Sequence, residues 1–582
     1  MPKRLAGAVF RFVLFFTMTA AFLHSASDDQ FQLLMKKAFE LHQQGNFSAA
    51  LPLLRRAHTI LPDDYFVNLL LGIDSLRTGD THAALPYLNK AARLRPKEEF
   101  PLSYLGEAYA RQRSYADAAS SYMKAVDVAP ASAESSVAFV DFALTRFADI
   151  STALRSSSRG LAQEYRLRAR ALDWKDSGRV ALLRRASDLD PDSPGIWSEL
   201  ADASAQSGNW TAVAEQVHRA LRADPNDLAA WIADAELSAH SGDWKRVNER
   251  LNAIAQRSAN ALSRAAAKWP GELQPLAGAM SGSAAMFFRC VSENQATCKI
   301  PAVKTSAARP VDLFRQQRWE QVTKLPPPPE ASAKGWLQRG IAFAGLDDCA
   351  NAIPALERGV AGTSPDFYGM FQLSWCYSQQ AGSVAKRVQQ SSDNSASVHT
   401  MRGDILLRLQ AKPELAIDEY QQALAQNARD PSVLDRLGEA QFGAGKIDSA
   451  RTSAEAALRI DPHRLGAMRT LARIAMQNRD YATALPYLRE LAQRNPDDIA
   501  GRIELGRACA QTGALNEARE NLAPALAQGY PDEKGTLHYL LGTVLKKLGQ
   551  NTDADEAFAK ASQLSDSFQQ RSYHDQDPDA KP

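Results

Sequence analysis

The chain has 582 residues, of which 45% are hydrophobic and 23% are charged. This ordinary globular composition argues against wholesale disorder and against a polytopic membrane protein. The chain has 68 lysines and arginines against 66 aspartates and glutamates, so its net charge of +2 gives no bulk attraction to nucleic acid or anionic membranes. Five cysteines are too few for a disulfide scaffold and lack the spacing of metal ligands.

Residues 1–27 have the features of a secretory signal peptide. Basic residues come first, and residues 12–23 then form an apolar stretch that is short for a membrane span. Small residues follow, so we expect cleavage after Ser27 and export of the mature protein to the periplasm or the extracellular space. The alternative is an uncleaved helix that anchors the chain in the inner membrane.

A 34-residue period organises most of the remaining chain. Three prolines in the first part stand 34 residues apart, and alanines recur twelve and five residues before each of them. Turn signals that contain glycine fall midway between the prolines. The positions in register include Pro62, Pro96 and Pro130, then Ala50, Ala84 and Ala118, then Ala57, Ala91 and Ala125, and the pairs Leu71-Gly72, Leu105-Gly106, Leu437-Gly438, Leu505-Gly506 and Leu541-Gly542.

This period predicts a stack of helical hairpins. Each unit is interpreted as two amphipathic helices that a glycine turn joins and a proline ends, because proline cannot continue a helix. Glycine and alanine at the crossing points let the two backbones approach closely. A single hairpin cannot bury its apolar faces, so we expect successive hairpins to stack into a solenoid.

The pattern resembles the tetratricopeptide repeat family, in the form of an exported bacterial-type protein with many repeats. Residues 99–130 match the family signature with Leu105-Gly106, Tyr109, Ala118, Tyr122, Ala125 and Pro130. Units in register begin near Phe31, Tyr65, Glu99, Pro194, Leu228, Ala333, Ser397, Pro431, Leu465, Ile499 and Gly535. Degenerate units are expected in residues 131–191 and 367–394, the latter with a shortened second helix. The resemblance implies an all-α superhelix of helical hairpins.

Register is lost in the middle of the chain, where glycine and proline are frequent and residues 326–329 are four consecutive prolines. We therefore predict an N-terminal repeat block at residues 28–260, an irregular insert and proline-rich hinge at 261–332, a C-terminal block at 333–565 and a disordered tail at 566–582. Trp319 begins a segment similar to the second helices of earlier repeats, so the insert should be partly helical. Alternatively, the prolines are a ligand for a partner's aromatic groove.

The sequence contains no motif for catalysis, for a metal or for a cofactor. Histidines stand singly, without a His-Glu-x-x-His run. Residues 440–447 superficially resemble a phosphate loop but lack its first glycine and its Ser or Thr. The chain is therefore predicted not to be an enzyme.

The cysteines suggest two disulfides, which export would permit. Cys290 and Cys298 lie close together in the insert. Cys349 begins the second helix of one repeat and Cys376 lies late in the first helix of the next, so antiparallel packing should bring them together. Cys509 occupies an aromatic position of its repeat and is expected to be a buried free thiol.

In the family that the sequence resembles, the first helix of each unit lines the concave face, mainly through its second, fifth, ninth, twelfth and thirteenth residues. In the N-terminal block these positions are apolar, which indicates a surface for a partner's apolar helix or extended segment. The predicted partner-binding residues there are Met35, Phe39, Phe66, Leu69 and Ile73. A register error of one residue would instead place this stripe in the core.

In the C-terminal block the same positions are polar. Asp435 and Glu439 should lie beside the first arginine pair of the neighbouring helix, and part of this charge is expected to be internal ion pairing. The predicted partner-binding residues are Arg469, Arg473, Arg507 and Lys546. Arginines in a concave site grip carboxylates through paired donors, so an acidic peptide or a free C-terminus is the expected ligand.

Together these features predict a non-enzymatic protein–protein interaction scaffold of the cell envelope that holds protein or peptide segments in its grooves. The alternative is a membrane-tethered assembly factor or chaperone-like adaptor for an envelope complex. Nucleic acid is not an expected partner, and membrane contact is expected only through an uncleaved N-terminal helix. Self-association through an exposed terminal repeat is also compatible with the pattern. Some family members grip chaperone C-termini with a Lys/Asn clamp, but Leu69 and Ile73 stand at its positions here.

Overall fold

In the computed structural model, the described residues are 26–130, 132–172, 176, 178–193, 195–268, 282–292, 309–362, 365–389, 394–496, 498–528 and 530–576. They form helices joined by turns, with no strand among them, which confirms the predicted all-α fold. No helix in these ranges is both long and apolar enough to cross a membrane. The predicted signal peptide lies outside the described residues except for its last two, which begin the first helix.

The chain divides into two compact units. The first comprises residues 1–143 together with 383–393, and the second comprises residues 144–382 and 394–582. This division differs from the predicted blocks, because the first boundary lies inside a helix and not in the insert at 261–332.

The helices of the first unit pair into hairpins. They are α1 (Ala26–Gln43), α2 (Phe47–Ile60), α3 (Tyr65–Arg77), α4 (Thr81–Leu94), α5 (Glu99–Arg111), α6 (Tyr115–Val128) and the beginning of α7 (Ala133–Leu154). Each helix packs against the next along α1–α6. The predicted hairpins are therefore confirmed in this part of the chain.

Several hairpin turns combine a glycine with a capping side chain. Gly79 has a φ of +89°, a left-handed conformation that glycine adopts without strain. Asp80 then caps α4, and its carboxylate accepts a hydrogen bond of 3.0 Å from the backbone N–H of the third helical residue. Asn46, Asn209 and Asp243 cap their helices in the same way. These are the places where the sequence predicted turns.

The Leu-Gly pairs mark the points where the two helices of a hairpin touch. A Cβ atom on Gly72 would lie 2.5 Å from the side chain of Leu88, and one on Gly106 would lie 2.7 Å from the ring of Tyr122. Leu88 is fully buried at this crossing. Interiors are close-packed, so no larger residue fits at either glycine without moving its neighbour.

The second unit is also built from helices that follow one another along the chain. Its first helices after α7 are α8 (Ser158–Ala171), α9 (Gly178–Leu189), α10 (Ile196–Gln206), α11 (Trp210–Ala223), α12 (Leu228–His240), α13 (Trp244–Ala255) and α14 (Ala259–Ala266). Next come α15 (Ser283–Ser292), α16 (Pro310–Arg315), α17 (Trp319–Lys324), α18 (Ala333–Gly345), α19 (Cys349–Val360) and α20 (Phe367–Gln389).

The C-terminal repeats complete the chain with five hairpins. Their helices are α21 (Ala396–Arg408), α22 (Pro413–Gln426), α23 (Pro431–Gly443), α24 (Ile447–Ile460), α25 (Leu465–Gln477), α26 (Tyr481–Arg494), α27 (Ile499–Thr512), α28 (Leu515–Ala527), α29 (Thr536–Lys547) and α30 (Asn551–Gln576). Consecutive helices pack against each other throughout α21–α30.

The described helices of the insert pack against neighbouring repeats. Phe287 and Phe288 of α15 belong to one apolar cluster with Trp231. Gln317, between α16 and α17, donates a hydrogen bond of 2.8 Å to Asp224. The short helices α16 and α17 contact each other, and α17 contacts α18. Residues 269–281 and 293–308 of the insert lie outside the described residues, so the hinge stays a prediction.

The structure corrects two further predictions of secondary structure. Residues 367–389 form the single 23-residue helix α20, in place of a helix followed by a shortened second one. α30 extends to Gln576, so residues 566–576 are helical and not disordered. Neither segment contains a proline, so nothing ends the helix at the predicted boundary.

Three tryptophans, each at the fourth position of its repeat, make the same kind of hydrogen bond, which the sequence did not predict. The indole N–H groups of Trp197, Trp231 and Trp336 donate to the carbonyls of Pro191, Pro225 and Pro329 at 2.7, 3.1 and 3.1 Å. The guanidiniums of Arg219, Arg257 and Arg358 lie over these rings, 4.7, 4.0 and 5.0 Å from the centroids. The residue that ends one repeat is thereby tied to the first helix of the next.

Candidate functional site

Three of the predicted N-terminal binding residues are half-buried. Met35 and Phe39 on α1 pack against the apolar cluster formed by α1–α3. Phe66 on α3 lies beneath Arg95, whose guanidinium carbon is 4.8 Å from the centroid of its ring. These three side chains keep part of their surface exposed.

Leu69 and Ile73 belong to the core, which corrects their predicted place in an exposed patch. Their exposed fractions are 8% and 1%, and both share an apolar cluster with Leu105 and Ala108 of α5. The physical reason is that α3 is apolar around most of its circumference, and every residue from 67 to 76 is buried. Position within the repeat therefore does not put these side chains in an open groove.

A buried polar pair joins α1 to α3. Nδ1 of His42 lies 2.5 Å from Oδ1 of Asp74, and both side chains are buried. Burial raises the pKa of the Asp74 carboxyl above its ordinary value. The two residues are 32 positions apart, close to one repeat length, and this spacing is the signal that could have found them.

In the C-terminal repeats, the first helices are α21, α23, α25, α27 and α29. The acidic side chains of α23 pair with residues other than those predicted. Oδ2 of Asp435 lies 3.5 Å from Nε of Arg464, and Oε2 of Glu439 lies 4.0 Å from Nη2 of Arg408. Burial raises the pKa of Asp435 to about 6. The two carboxylates of α23 thus face arginines on opposite sides of this helix.

Arg469 and Arg473 lie one turn apart on α25, and both are exposed. The guanidinium carbon of Arg473 lies 4.2 Å from the ring centroid of Phe442 on α23. Burial on this side lowers the pKa of Arg473, although Glu439 acts in the opposite direction. Within the described residues, no ion pair joins either arginine to a carboxylate.

Arg507 and Lys546, the other two predicted residues, follow on later helices. Arg507 on α27 is half-buried, and its Nη1 lies 3.4 Å from Oε1 of Glu504. Lys546 near the end of α29 is exposed, as is Tyr539 on the same helix. Because Arg507 already has an acidic partner, Arg469 and Arg473 are the arginine pair with the most available charge among the predicted residues.

Cys349 and Cys376 form a disulfide between α19 and α20, with Cα atoms 4.9 Å apart. The predicted bond between Cys290 and Cys298 stays a prediction, because Cys298 and the side chain of Cys290 lie outside the described residues.

A hydrogen bond fixes the chain just before the four consecutive prolines. The guanidinium of Arg339 donates to the carbonyl of Leu325 at 2.6 Å.

The described residues offer little that resembles a catalytic centre. Cys509 is a free and fully buried thiol, as predicted, and burial raises its pKa to about 12. A thiol in this state is inert, since the thiolate is the nucleophile. No group of three or more histidine, cysteine or carboxylate side chains in the described ranges is arranged to hold a metal ion.

The sequence did not predict a cluster of two arginines and a glutamate in the second unit. Arg166 and Arg170 on α8 both donate to Oε1 of Glu199 on α10, through their Nε atoms at 3.0 Å. Burial alone would raise the pKa of Glu199, but the two guanidiniums lower it to about 2. Arg166 and Glu199 are 33 positions apart, close to one repeat length, but this spacing alone does not distinguish them from the many other arginines and glutamates of the chain.

Comparison with known proteins identifies the repeats. Family models for the tetratricopeptide repeat match residues 69–134, 400–464, 475–535 and 536–568. No curated protein matches the chain. Among solved structures, MamA from Desulfovibrio magneticus RS-1 is 23% identical to this chain. The match spans 30% of this chain and 97% of the MamA chain, with a TM-score of 0.27. YrrB, described as a TPR protein with an unusual peptide-binding site, is 20% identical over 31% of this chain and 91% of YrrB, with a TM-score of 0.28.

The matched ranges coincide with hairpins of the structure in both halves of the chain. They include α5 and α6, where the signature residues were first recognised, and every first helix of the C-terminal repeats in whole or in part. Repeats of this family are typically non-catalytic. The chain is a tetratricopeptide repeat protein, and its stacked hairpins form a scaffold for protein–protein interaction.

Proposed function

We propose that this chain is a non-enzymatic scaffold of the cell envelope that binds an acidic peptide segment on the first helices of its C-terminal repeats. The observation that carries the proposal is the pair of arginines on α25. Arg469 and Arg473 are exposed one turn apart, and neither is paired with a carboxylate in the described part of the chain. Paired guanidiniums recognise carboxylates through several parallel N–H donors.

Arg473 is held ready for such a ligand by Phe442. A guanidinium stacked on an aromatic face loses little side-chain freedom on binding, and the donors along its edge stay available. Because the ring also excludes water from one side, a carboxylate at the open edge meets a less screened charge than on a fully hydrated arginine. Arg469 supplies a second set of donors on the same helix.

The acids near this pair favour an acidic ligand over a basic one. Asp435 and Glu439 already face Arg464 and Arg408, and Glu504 faces Arg507. A basic segment would have to compete for these carboxylates, whereas an acidic segment finds guanidinium donors that no described carboxylate occupies.

Two features support a place in the cell envelope. Residues 1–27 carry the basic start and apolar stretch of an export signal. The disulfide between Cys349 and Cys376 is typical of an oxidising compartment. The intact mass of the protein from its native host tests export, because cleavage after Ser27 removes a defined mass. A retained N-terminus would favour the second candidate, a membrane-tethered assembly factor, which rests on the apolar stretch at 12–23.

Binding is tested by fluorescence anisotropy with a labelled hexaglutamate peptide and the full mature chain. The Arg473→Gln variant should bind about tenfold more weakly than wild type, since a charge-assisted contact is lost. Binding should also weaken as salt rises, because exposed charges are screened. Arg459→Gln is the matched control, because Arg459 is an exposed arginine on the second helix α24.

The control should keep its affinity within about twofold of wild type. Equal affinities of wild type and Arg473→Gln would contradict the proposed site. Equal losses in both variants would show that the peptide responds to overall charge and not to the pair on α25.

A further inference from the structure

Two segments of the second unit that are distant in the sequence contact each other. Arg146 on α7 donates through Nε and Nη2 to the two carboxylate oxygens of Glu357 on α19, both at 3.0 Å. The hydroxyl of Tyr377 on α20 donates to the same carboxylate at 2.8 Å. Glu357 and Tyr377 are buried, so a desolvated network joins α7 to α19 and α20.

A second contact joins α8 to α20. The guanidinium carbons of Arg166 and Arg170 lie 4.1 and 4.7 Å from the ring centroid of Phe371, and that of Arg170 lies 5.0 Å from Trp375. The Arg166 side chain is only 3% exposed, and Glu199 pairs with it as well. We call Arg166 and Arg170 the arginine face of α8, and α20 covers it.

The disulfide lies in the same part of α20 as both contacts. Cys376 stands between Trp375, which lies beside the arginine face, and Tyr377, which reaches α19. Its bond to Cys349 fixes the register of α20 along α19. Phe371, little more than one turn earlier, is fully buried. A displacement of this part of the helix would therefore break both contacts together.

We propose that the disulfide between Cys349 and Cys376 is a covalent latch that keeps α20 on the arginine face of α8, and that a dithiol reductant opens it. In the exchange, the S–S bond of the protein breaks and both cysteines become thiols. The dithiol gives up its two protons and two electrons and becomes a cyclic disulfide. Release of α20 uncovers the arginine face.

Burial of the bond determines how the latch responds. Cys376 is fully buried and Cys349 is 5% exposed, so a reductant reaches the sulfurs only when this region opens locally. The latch therefore resists brief exposure to a reductant and opens under sustained reduction. After reduction, the register of α20 along α19 is no longer fixed by a covalent bond, so the position of α20 on α8 depends on side-chain contacts.

The latch is tested by hydrogen–deuterium exchange on the full-length protein that carries Cys290→Ser and Cys298→Ser, so that dithiothreitol acts on the described disulfide alone. Alkylation and mass spectrometry verify the reduction. Peptides from α8 and α20 should exchange about tenfold faster in the reduced protein, while peptides from α26 should not change. A protein that carries Cys349→Ala and Cys376→Ala in addition to the two serine substitutions should show the same fast exchange without dithiothreitol.

Cys509→Ser is the matched control for loss of a buried cysteine elsewhere, and it should leave exchange in α8 and α20 unchanged. Verified reduction with exchange in α8 and α20 still within about twofold of the oxidised protein would overturn the latch. Equally faster exchange in α26 would overturn it too, because the disulfide would then stabilise the unit as a whole. Should the double alanine variant fail to fold, the dithiothreitol experiment alone still decides between these outcomes.

Discussion

Replacement of Leu69 or Ile73 by alanine should destabilise α3 and its neighbours, and this tests the assignment of both residues to the core. Both side chains are at most 8% exposed and share one apolar cluster with α5. Loss of a buried Leu or Ile side chain to alanine costs about 2–5 kcal/mol, because transfer and cavity terms add. We expect about 3 kcal/mol here, with little relief from repacking, since every residue from 67 to 76 is buried.

Hydrogen–deuterium exchange is the suitable assay, because a repeat protein opens in parts and has no single free energy of unfolding. A loss of about 3 kcal/mol corresponds to exchange about a hundredfold faster in α3 and α5. Leu33→Ala is the matched control, since Leu33 is 54% exposed in the same unit, and it should change exchange by less than about threefold. Similar small effects for Leu69→Ala and Leu33→Ala would refute the reasoning and return Leu69 to an open groove.

Four other substitutions probe individual positions by the same exchange assay. Gly403→Ala should destabilise α21 and α22 by about 1–3 kcal/mol, because its Cβ would lie 2.5 Å from the Tyr420 ring. A Cβ on Gly382 would have no neighbouring atom within 4 Å, so Gly382→Ala should stabilise its helix by up to about 1 kcal/mol. Equal effects of the Gly403→Ala and Gly382→Ala substitutions would contradict the steric argument. Asp435 has its pKa raised from 3.8 to about 6, so the native chain holds an extra proton between these values and loses stability as pH rises through them. Above pH 6, the Asp435→Asn variant should therefore be more stable than wild type by up to about 3 kcal/mol and should exchange more slowly. A difference in stability between the two proteins that does not vary with pH would count against this. Trp231→Phe should lose about 1 kcal/mol at the preceding repeat junction, because its N–H donor to the closing proline disappears, and unchanged exchange there would contradict this.

The hairpins were predictable because their signals are local and recur. A glycine with positive φ, a capping side chain and a terminal proline each act within a few residues, and Gly79, Asp80 and Pro96 do so as the sequence indicates. The same holds for Cys509, whose position in its repeat predicts burial, and the structure confirms it.

The remaining features depend on contacts between residues far apart in the chain. The period of the repeats shows which positions belong to a hairpin, but it does not show what packs across them. Leu69 was therefore expected in a groove and is in the core, and the contact of Arg166 with Phe371 was not foreseen. α20 was misjudged for a related reason, since the repeat pattern called for a turn that its residues do not enforce.

The contact between Arg146 and Glu357 also has a consequence for the kinetics of folding. In an ordinary solenoid each hairpin touches only its neighbours, so folding can begin anywhere and spread along the chain. These two residues are 211 positions apart, and their contact requires the ends of that long segment to meet. Closure of so long a loop is entropically costly and comes late, once the intervening hairpins have formed. The second unit should therefore refold with a slow final phase that a chain ending before α19 lacks.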